Sequence, residues 1–358
     1  MIAFPQLPGI DINIFLLIFI GLGVGILSGF AGVGGGFFMT PALIILGFPA
    51  HFAVGTTLTW IVGNSVVGAF RHRRLGNVDM RLGLVIILAA MSGMEVGVRI
   101  LNWTRSMGLA NEVVLSISIF MLLMVGGYTL SEASTRKRLL DKMLAKKERL
   151  PLAMRATSLS QKLQSINIPP MLRFPKSQIT ISLWTILAVG FSIGVLAGII
   201  GVGGGFIMVP ALVYLIGLPS FMAAGTNLFQ VIFSAAYGAL RHTMSGNVII
   251  FAAFIMVVAS SIGVQFGALV TRYVRGVSAR YILGISIMII AIGAILKLLD
   301  ILLRDATAWP EVGASVVTFG GIGLVVIMIL ALFVTALRYR RGQHIPSWVE
   351  SLVSKTSE

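Results

Sequence analysis

Apolar runs long enough to cross a bilayer follow one another along most of this chain, separated by short polar punctuation. In the first part they cover 12–31, 52–70, 82–101 and 113–130; in the second, 180–200, 221–240, 248–271 and 279–299. Two shorter apolar runs, 37–48 and 206–218, each follow the first run of their set, and a last run at 314–337 stands alone. A polar, basic stretch fills 131–178 and a polar tail 338–358. About 20 apolar residues in a helix span a hydrocarbon core of roughly 30 Å, and a helix satisfies its own backbone groups in lipid. The pattern predicts an all-α, polytopic membrane protein.

Composition points the same way. Of 358 residues, 57% are hydrophobic and 11% charged, more apolar surface than a soluble chain of this length could hide. There is no cysteine, which excludes a disulfide framework and thiol-based metal chemistry. Asp11 precedes the first run and no Lys or Arg does, so that run reads as a retained span rather than a signal peptide.

The apolar runs also repeat in their details. Gly32-Val33-Gly34-Gly35-Gly36-Phe37-Phe38-Met39-Thr40-Pro41-Ala42-Leu43 is echoed by Gly201-Val202-Gly203-Gly204-Gly205-Phe206-Ile207-Met208-Val209-Pro210-Ala211-Leu212. Gly47-Phe48-Pro49 pairs with Gly217-Leu218-Pro219, and Gly55-Thr56-Thr57-Leu58 with Gly225-Thr226-Asn227-Leu228. Arg71-His72 pairs with Arg241-His242, and Gly76-Asn77-Val78 with Gly246-Asn247-Val248. The offset is 169 at the glycine run and 170 from Gly47 onward, so one residue is inserted between them. A duplicated membrane unit with a glycine break at the same place in each half is the pattern of a secondary transporter, in which the two breaks face each other across the substrate.

Charge decides how the runs cross. The formal net charge is +15, and eleven of the 27 basic residues lie between Arg136 and Lys176. Basic residues so placed fit membrane topology and anionic headgroups, not nucleic acid. If each half crosses five times with the N-terminus outside, then Arg71, Arg73, Arg74, Arg81, the eleven linker residues, Arg272, Arg275, Arg280, Arg338, Arg340 and Arg341 all face the cytoplasm. Four crossings per half would move Arg272, Arg275, Arg280 and the Arg338–Arg341 cluster outside. Five is an odd number, so the two copies point in opposite directions. The expected architecture is therefore two inverted repeats with Gly-broken helices plus one extra C-terminal span. Its parts are a first repeat over 1–130, a basic cytoplasmic linker over 131–178, a second repeat over 179–300, the extra span within 301–337, and a cytoplasmic tail over 338–358. In the linker, Leu139, Leu140, Met143 and Leu144 fall at helical spacing among Lys and Arg. This suits a solvated connecting helix, an amphipathic helix on anionic lipid of the inner leaflet, or a site for a regulatory partner.

The chemistry gathers at the breaks. Consecutive glycines permit non-helical dihedrals, and such a backbone at membrane depth must be buried in protein or line a polar cavity. A half-helix beginning near Phe37 and another near Phe206 would aim free N–H groups and the positive end of the dipole at the break. Gly34, Gly35 and Gly36 with Gly203, Gly204 and Gly205 are then two backbone cradles for an anion. The bland alternative, that the glycines only let helices pack closely, suits the single pairs Gly93/Gly97 and Gly263/Gly267. Thr56, Thr57, Thr226, Asn227 and Gln230 can donate hydrogen bonds to an oxyanion, although a lone membrane Thr often bonds its own backbone. Arg71, His72, Arg241 and His242 end their helices, as lipid-anchoring residues or as cationic vestibules that concentrate anions. Glu95, inside a span, is a candidate for coupling, for instance as a proton carrier. Its counterpart is Gln265, and Arg99 one turn on suits a structural ion pair.

No catalytic set is present. His51, His72, His242 and His344 lack metal-ligand spacing, and neither a phosphate-binding loop nor a nucleophile elbow occurs. No enzyme activity, cofactor or metal is expected.

Each half thus carries Gly-Val-Gly-Gly-Gly with Pro-Ala-Leu after it, then Gly-x-Pro, then Ala53-Val54-Gly55-Thr56 or Ala223-Ala224-Gly225-Thr226, then Arg-His and Gly-Asn-Val. This resembles the TauE/SafE family of membrane permeases, the sulfite exporter-like anion transporters, over about 12–130 and 180–300. The resemblance implies export of small sulfur-containing anions such as sulfite, sulfonates or sulfoacetate. The linker 131–178 and the span 314–337 depart from the family pattern. So do Thr56-Thr57 and Thr226-Asn227, where that pattern has Thr-Ser in both copies. Expected partners are a small anion substrate and membrane lipid, with a homodimer left open; the expected location is the inner (cytoplasmic) membrane, N-terminus outside and C-terminus inside. A passive anion channel and a non-transporting membrane scaffold are the alternatives.

Overall fold

The computed structural model describes residues 2–3, 11–31, 34–74, 76–146, 168–270, 276–303 and 309–340. Gly32 and Val33 of the first break, the middle of the basic linker and the C-terminal tail lie outside these residues. The helices are α1 (Ile14–Ala31), α2 (Gly36–Ile45), α3 (Ala50–Arg74), α4 (Met80–Ser106) and α5 (Ala110–Lys146), then α6 (Leu183–Ile200), α7 (Gly205–Ala211), α8 (Ser220–Met244), α9 (Ile250–Val270) and α10 (Gly276–Leu302). Helices α1–α5 and α6–α10 thus fall one for one on the two sets of apolar runs in the sequence. The unpaired last run forms α11 (Trp309–Ser315), a π-helical turn (Val316–Gly320) and α12 (Gly321–Arg340). Among the described residues, seven helical segments are long and apolar enough to cross a membrane, so the chain is a polytopic all-α membrane protein.

Two features of the middle were not legible from hydropathy. Helix α5 has 37 residues and runs unbroken to Lys146, so the boundary drawn at 130 falls inside it. At 1.5 Å per residue it is about 55 Å long, well beyond the roughly 30 Å of hydrocarbon, so its basic end projects from the bilayer. The linker ends in an antiparallel hairpin, β3 (Met171–Phe174) with β4 (Ile179–Ser182); the short strands β1 (Ile2–Ala3) and β2 (Asp11–Ile12) pair likewise just before α1.

The chain divides into two compact units. The first holds 1–13, 33–114 and 155–257, hence α2, α3, α4, α6, α7, α8 and the strand pairs β1–β2 and β3–β4. Its apolar core joins Leu82 and Ile86 of α4, Ile186 and Ile193 of α6, and Met208, Leu212 and Ile216 of the α7 segment to Phe174 and Ile181 of the hairpin. Helices α4 and α6 touch backbone to backbone. A Cβ at Gly97 would lie 2.9 Å from the Gly198 Cα, and one at Gly93 would collide with the Phe191 carbonyl. Lipid tails are as apolar as Leu, so it is this close approach of small residues that holds membrane helices together.

The second unit, 14–32, 115–154 and 258–358, shows the same contact in its matching elements. Gly263 and Gly267 of α9 meet the carbonyls of Leu22 and Ile26 of α1. Both glycine pairs read as packing surfaces are thus packing surfaces. Arg280 pairs with Glu132, and Tyr281 donates to Ser134 at 3.0 Å, tying α10 to α5. Gly97→Leu and its counterpart Gly267→Leu should each destabilise the fold by about 1–3 kcal/mol or more, the range for forced overpacking. Thermal unfolding of the detergent-solubilised protein would read this as a lower midpoint for both.

Candidate functional site

The predicted site residues all lie in the first unit, and the site is built from the two glycine breaks outward. Gly35 and Gly204 each sit at positive φ, 71° and 79°, immediately before α2 and α7. A side chain disfavours that left-handed conformation, so glycine is what lets the chain turn and restart as a helix. The Gly35 carbonyl accepts from Phe38 N–H at 3.1 Å and Met39 N–H at 3.3 Å; that of Gly204 accepts from Ile207 and Met208 at 3.1 and 2.8 Å. The N–H groups of the first residues have no acceptor within their own helix, as at any helix start.

The two helix starts meet. The Phe37 and Phe206 rings, matching residues of the two repeats, stack with centroids 4.2 Å apart and planes at 20°. A Cβ on Gly36 would come within 2.9 Å of the Val202 carbonyl oxygen and 2.5 Å of Ile61 Cδ1. Ile61 also reaches Gly203, 3.0 Å from its Cβ position. The two breaks are therefore in contact, with Ile61 against both and the two aromatic rings stacked beside them.

Contacts between the halves are reciprocal. Thr56 Oγ1 accepts the N–H of Ile249 at 3.1 Å, and Thr226 Oγ1 accepts the N–H of Asp79 at 3.0 Å; both pairs of residues are related by the 170 offset. Gly55 packs on the Asn247 carbonyl and Gly225 on the Asn77 carbonyl, again matching positions. The turns so held end their helices alike. Asn77 N–H bonds the His72 carbonyl at 3.0 Å, and Asn247 N–H the His242 carbonyl at 2.8 Å, each after a glycine at positive φ. This is the Schellman helix stop. Asp79 also caps α4 by accepting from Leu82 N–H at 3.2 Å, and its other oxygen accepts from Ser177 of the hairpin at 2.6 Å.

The remaining predicted residues divide by environment. Asn227, Gln230 and Ser234 form a buried polar ladder one helix turn apart on α8. Gln230 Nε2 donates to Asn227 Oδ1 at 3.2 Å, and Ser234 Oγ to Gln230 Oε1 at 3.3 Å. Gln230 Nε2 lies 4.0 Å from the Cβ position of Gly204, which puts the ladder beside the second break. Thr57, at the position matching Asn227, is fully buried, and its hydroxyl has no hydrogen-bond partner among the described residues. Sequence reasoning missed Thr40. It is equally buried and unpartnered, with its hydroxyl 3.1 Å from the Cβ position of Gly201; the only signal was a Thr facing a Val (Val209) across the repeat.

The helix-end residues depart from expectation. Arg241 and His242 are consecutive on a helix, hence about 100° apart, and cannot both line one mouth. His242 is fully buried, its Cβ 2.9 Å from the Cβ position of Gly55, so it is a packing residue rather than part of an aqueous vestibule. His72 is half-buried in the matching place, its Cβ 3.2 Å from that of Gly225. The Arg71 side chain lies outside the described residues. Arg241 is engaged by Glu95: its Nε donates to Oε2 at 2.7 Å and its Nη2 to Oε1 at 3.0 Å. Arg99 Nε donates to Oε1 at 2.8 Å, the pair that the one-turn spacing predicts, and Tyr237 Oη donates to Oε2 at 2.9 Å. A second network adjoins it. Asn247 accepts from Arg105 at 2.6 Å and donates to Asn102 at 3.1 Å, and Asn102 donates to Ser245 at 3.2 Å.

Comparison with known proteins fits this arrangement. The family model for Sulfite exporter TauE/SafE matches residues 17–296. The chain is 25% identical over 265 residues to the probable membrane transporter protein YunE of Bacillus subtilis, covering 72% of this chain and 88% of that protein. It is 24% identical over 257 residues to the probable membrane transporter protein YdhB of the same organism, covering 71% and 87%. No solved structure matches it. A family match over most of the chain, both repeats included, makes this multi-pass protein a membrane transporter of the sulfite exporter TauE/SafE family.

Proposed function

We propose that the protein is a secondary transporter, working as an exporter by alternating access, of a small organic or inorganic anion of the sulfite, sulfonate or sulfoacetate class. One observation carries the reading: the two half-helix starts meet at the Phe37–Phe206 stack, with the Gly36 and Gly203 backbones on the same Ile61 side chain. Two helix starts in contact bring free backbone N–H groups and positive dipole ends close together, and that favours an anion nearby without a full positive charge inside the membrane. The Thr57 hydroxyl and the Gln230–Asn227 ladder supply side-chain donors beside the breaks. Thr56 and Thr226 still have a hydroxyl proton to give while accepting a backbone N–H. The family's name, sulfite exporter, supports the sulfur class.

Reciprocal contacts between residues 170 apart support a two-fold relation between the halves, since in such a relation i meets j wherever j meets i. With five crossings per half that relation makes the repeats inverted and the breaks opposed. The distribution of basic residues supports an orientation with the N-terminus outside and the C-terminus in the cytoplasm, as expected of an inner-membrane protein.

The test is flux from proteoliposomes loaded with sulfite, sulfoacetate, taurine, sulfate or acetate, with pH gradients imposed in both directions. Saturable movement of one sulfur anion, lowered at least tenfold in Asn227→Ala and Gln230→Ala without loss of folded protein, is the expected result. An effect of the pH gradient that persists at zero membrane potential would favour proton coupling, and its loss in Glu95→Gln would be needed to assign the proton to Glu95. Flux that never saturates would favour a channel, and no flux from folded, inserted protein would sink the reading.

A further inference from the structure

The Glu95 carboxylate occupies a cradle that is chemically an oxyanion site. Its two oxygens accept four hydrogen bonds, from Nε and Nη2 of Arg241, Nε of Arg99 and Oη of Tyr237, at 2.7 to 3.0 Å. Donors arranged as a guanidinium fork, a second guanidinium and a phenol suit any small planar or tetrahedral oxyanion, carboxylate and sulfonate alike. Two arginines face one carboxylate, so the cluster keeps a net positive charge. It is not sealed: the Glu95 and Arg241 side chains are 19% and 30% exposed and that of Arg99 is 74% exposed. The cluster occurs once. At the positions matching Glu95, Arg99 and Tyr237 the chain has Gln265, Leu269 and Val67, so the tethered carboxylate belongs to one end of the repeat pair only.

We propose that Arg241, Tyr237 and Arg99 form a second binding site for the transported anion, at one end of its path, and that Glu95 is a tethered competitor that fills it when no anion is there. This rests on the transporter reading for the identity of the anion. An arriving oxyanion exchanges with the carboxylate on the Arg241 fork, and the returning carboxylate drives the anion off again. The site is therefore weak on the face where it stands, which suits release more than capture. The Ser245 hydroxyl, donating to the Arg241 carbonyl at 3.1 Å and accepting from Asn102, ties the residue bearing the fork to the turn at Asn247. Exchange at Arg241 thus acts at the place where α8 ends.

The absence of cysteine makes the test clean, because Glu95→Cys carries a single thiol. Titration calorimetry of the purified full-length protein with sodium sulfite and sodium methanesulfonate would compare wild type, Glu95→Gln and Glu95→Cys. Removing the competitor is expected to tighten binding at least tenfold in both variants. Arg241→Gln added to Glu95→Gln should abolish that gain. Labelling Glu95→Cys with a sulfonate-bearing methanethiosulfonate reagent should restore weak binding of methanesulfonate, since it tethers a sulfonate in place of the carboxylate; an uncharged methyl reagent should not. The labelled forms are titrated with methanesulfonate alone, because sulfite cleaves the mixed disulfide. A merely structural ion pair predicts lower thermal stability with unchanged or weaker anion binding, and that result in the folded variants overturns the proposal. If Glu95→Gln does not fold, the two labelled forms of Glu95→Cys decide it alone: equal affinities sink the idea. Normal flux with unchanged affinity in Glu95→Gln would leave the transporter standing without this site. Tightened binding without flux in any form would keep the site and discard the transporter.

Discussion

Gly36→Val is expected to bring anion flux down to the background of protein-free vesicles. The first methylene added at Gly36 points at the Val202 carbonyl, 2.9 Å away, and at Ile61 Cδ1, 2.5 Å away. The carbonyl belongs to the opposite break and cannot retreat without moving α7, so the substitution pushes apart the two helix starts to which the proposed function assigns anion binding. The two contacts can be separated. Ile61→Val deletes the Cδ1 methyl and leaves the carbonyl contact. Gly36→Ala should therefore lose most of its flux alone and regain part of it beside Ile61→Val. A coupling between the two changes that stays within about 0.5 kcal/mol of additive, as for independent sites, would show that contact with Ile61 is not what Gly36→Ala disturbs. Flux in each variant has to be read beside a measure of folded, inserted protein, because a break that merely fails to fold gives no partial rescue.

Thr56→Val and Thr226→Val should be nearly equal in effect, although the residues are 170 positions apart. Each removes the acceptor of a buried backbone N–H, that of Ile249 or that of Asp79, while conserving shape. An unsatisfied buried donor costs about 1–3 kcal/mol, so each single variant should lose that much stability and the double variant roughly the sum. Thr→Ser at either place keeps the acceptor and should lose far less. Denaturation in mixed detergent micelles would measure all five proteins. A large loss at one position with none at the other would contradict the reciprocal role of the two hydroxyls.

Much of the architecture was readable because the residues that build it are periodic or punctuating. The apolar runs gave the helices. Gly35 and Gly204 marked both restarts, because a positive φ at a helix start excludes other residues. Gly76 and Gly246, read in the sequence only as part of a matching pair, stop their helices by the same freedom. What escaped the reading depends on partners distant in the chain. Nothing local says that Arg241 will find Glu95, 146 residues away, instead of water, or that Thr56 and Thr226 will spend their oxygens on each other's half. The end of α5 escaped for the opposite reason. Hydropathy reports where a helix leaves lipid, and α5 leaves the lipid well before the helix itself stops.

From the glycine that opens each half-helix to the glycine that closes it, Gly35 to Gly47 and Gly204 to Gly217, the second copy is one residue longer. The surplus lies where α7 widens into a π-helical turn at Leu212–Ile216, while α2 runs as a plain α-helix through Ile45. A π turn is what an α-helix becomes when it takes in one extra residue. An insertion left uncorrected would rotate the end of the half-helix by about 100° and re-aim the turn at Gly217 that leads into α8. The wide turn absorbs that rotation, so the half-helix still reaches its closing glycine. The same stretch should then tolerate the reverse edit. Deleting Tyr214 alone should leave a folded protein whose second half-helix matches the first in length, whereas deleting one residue inside α8 should not.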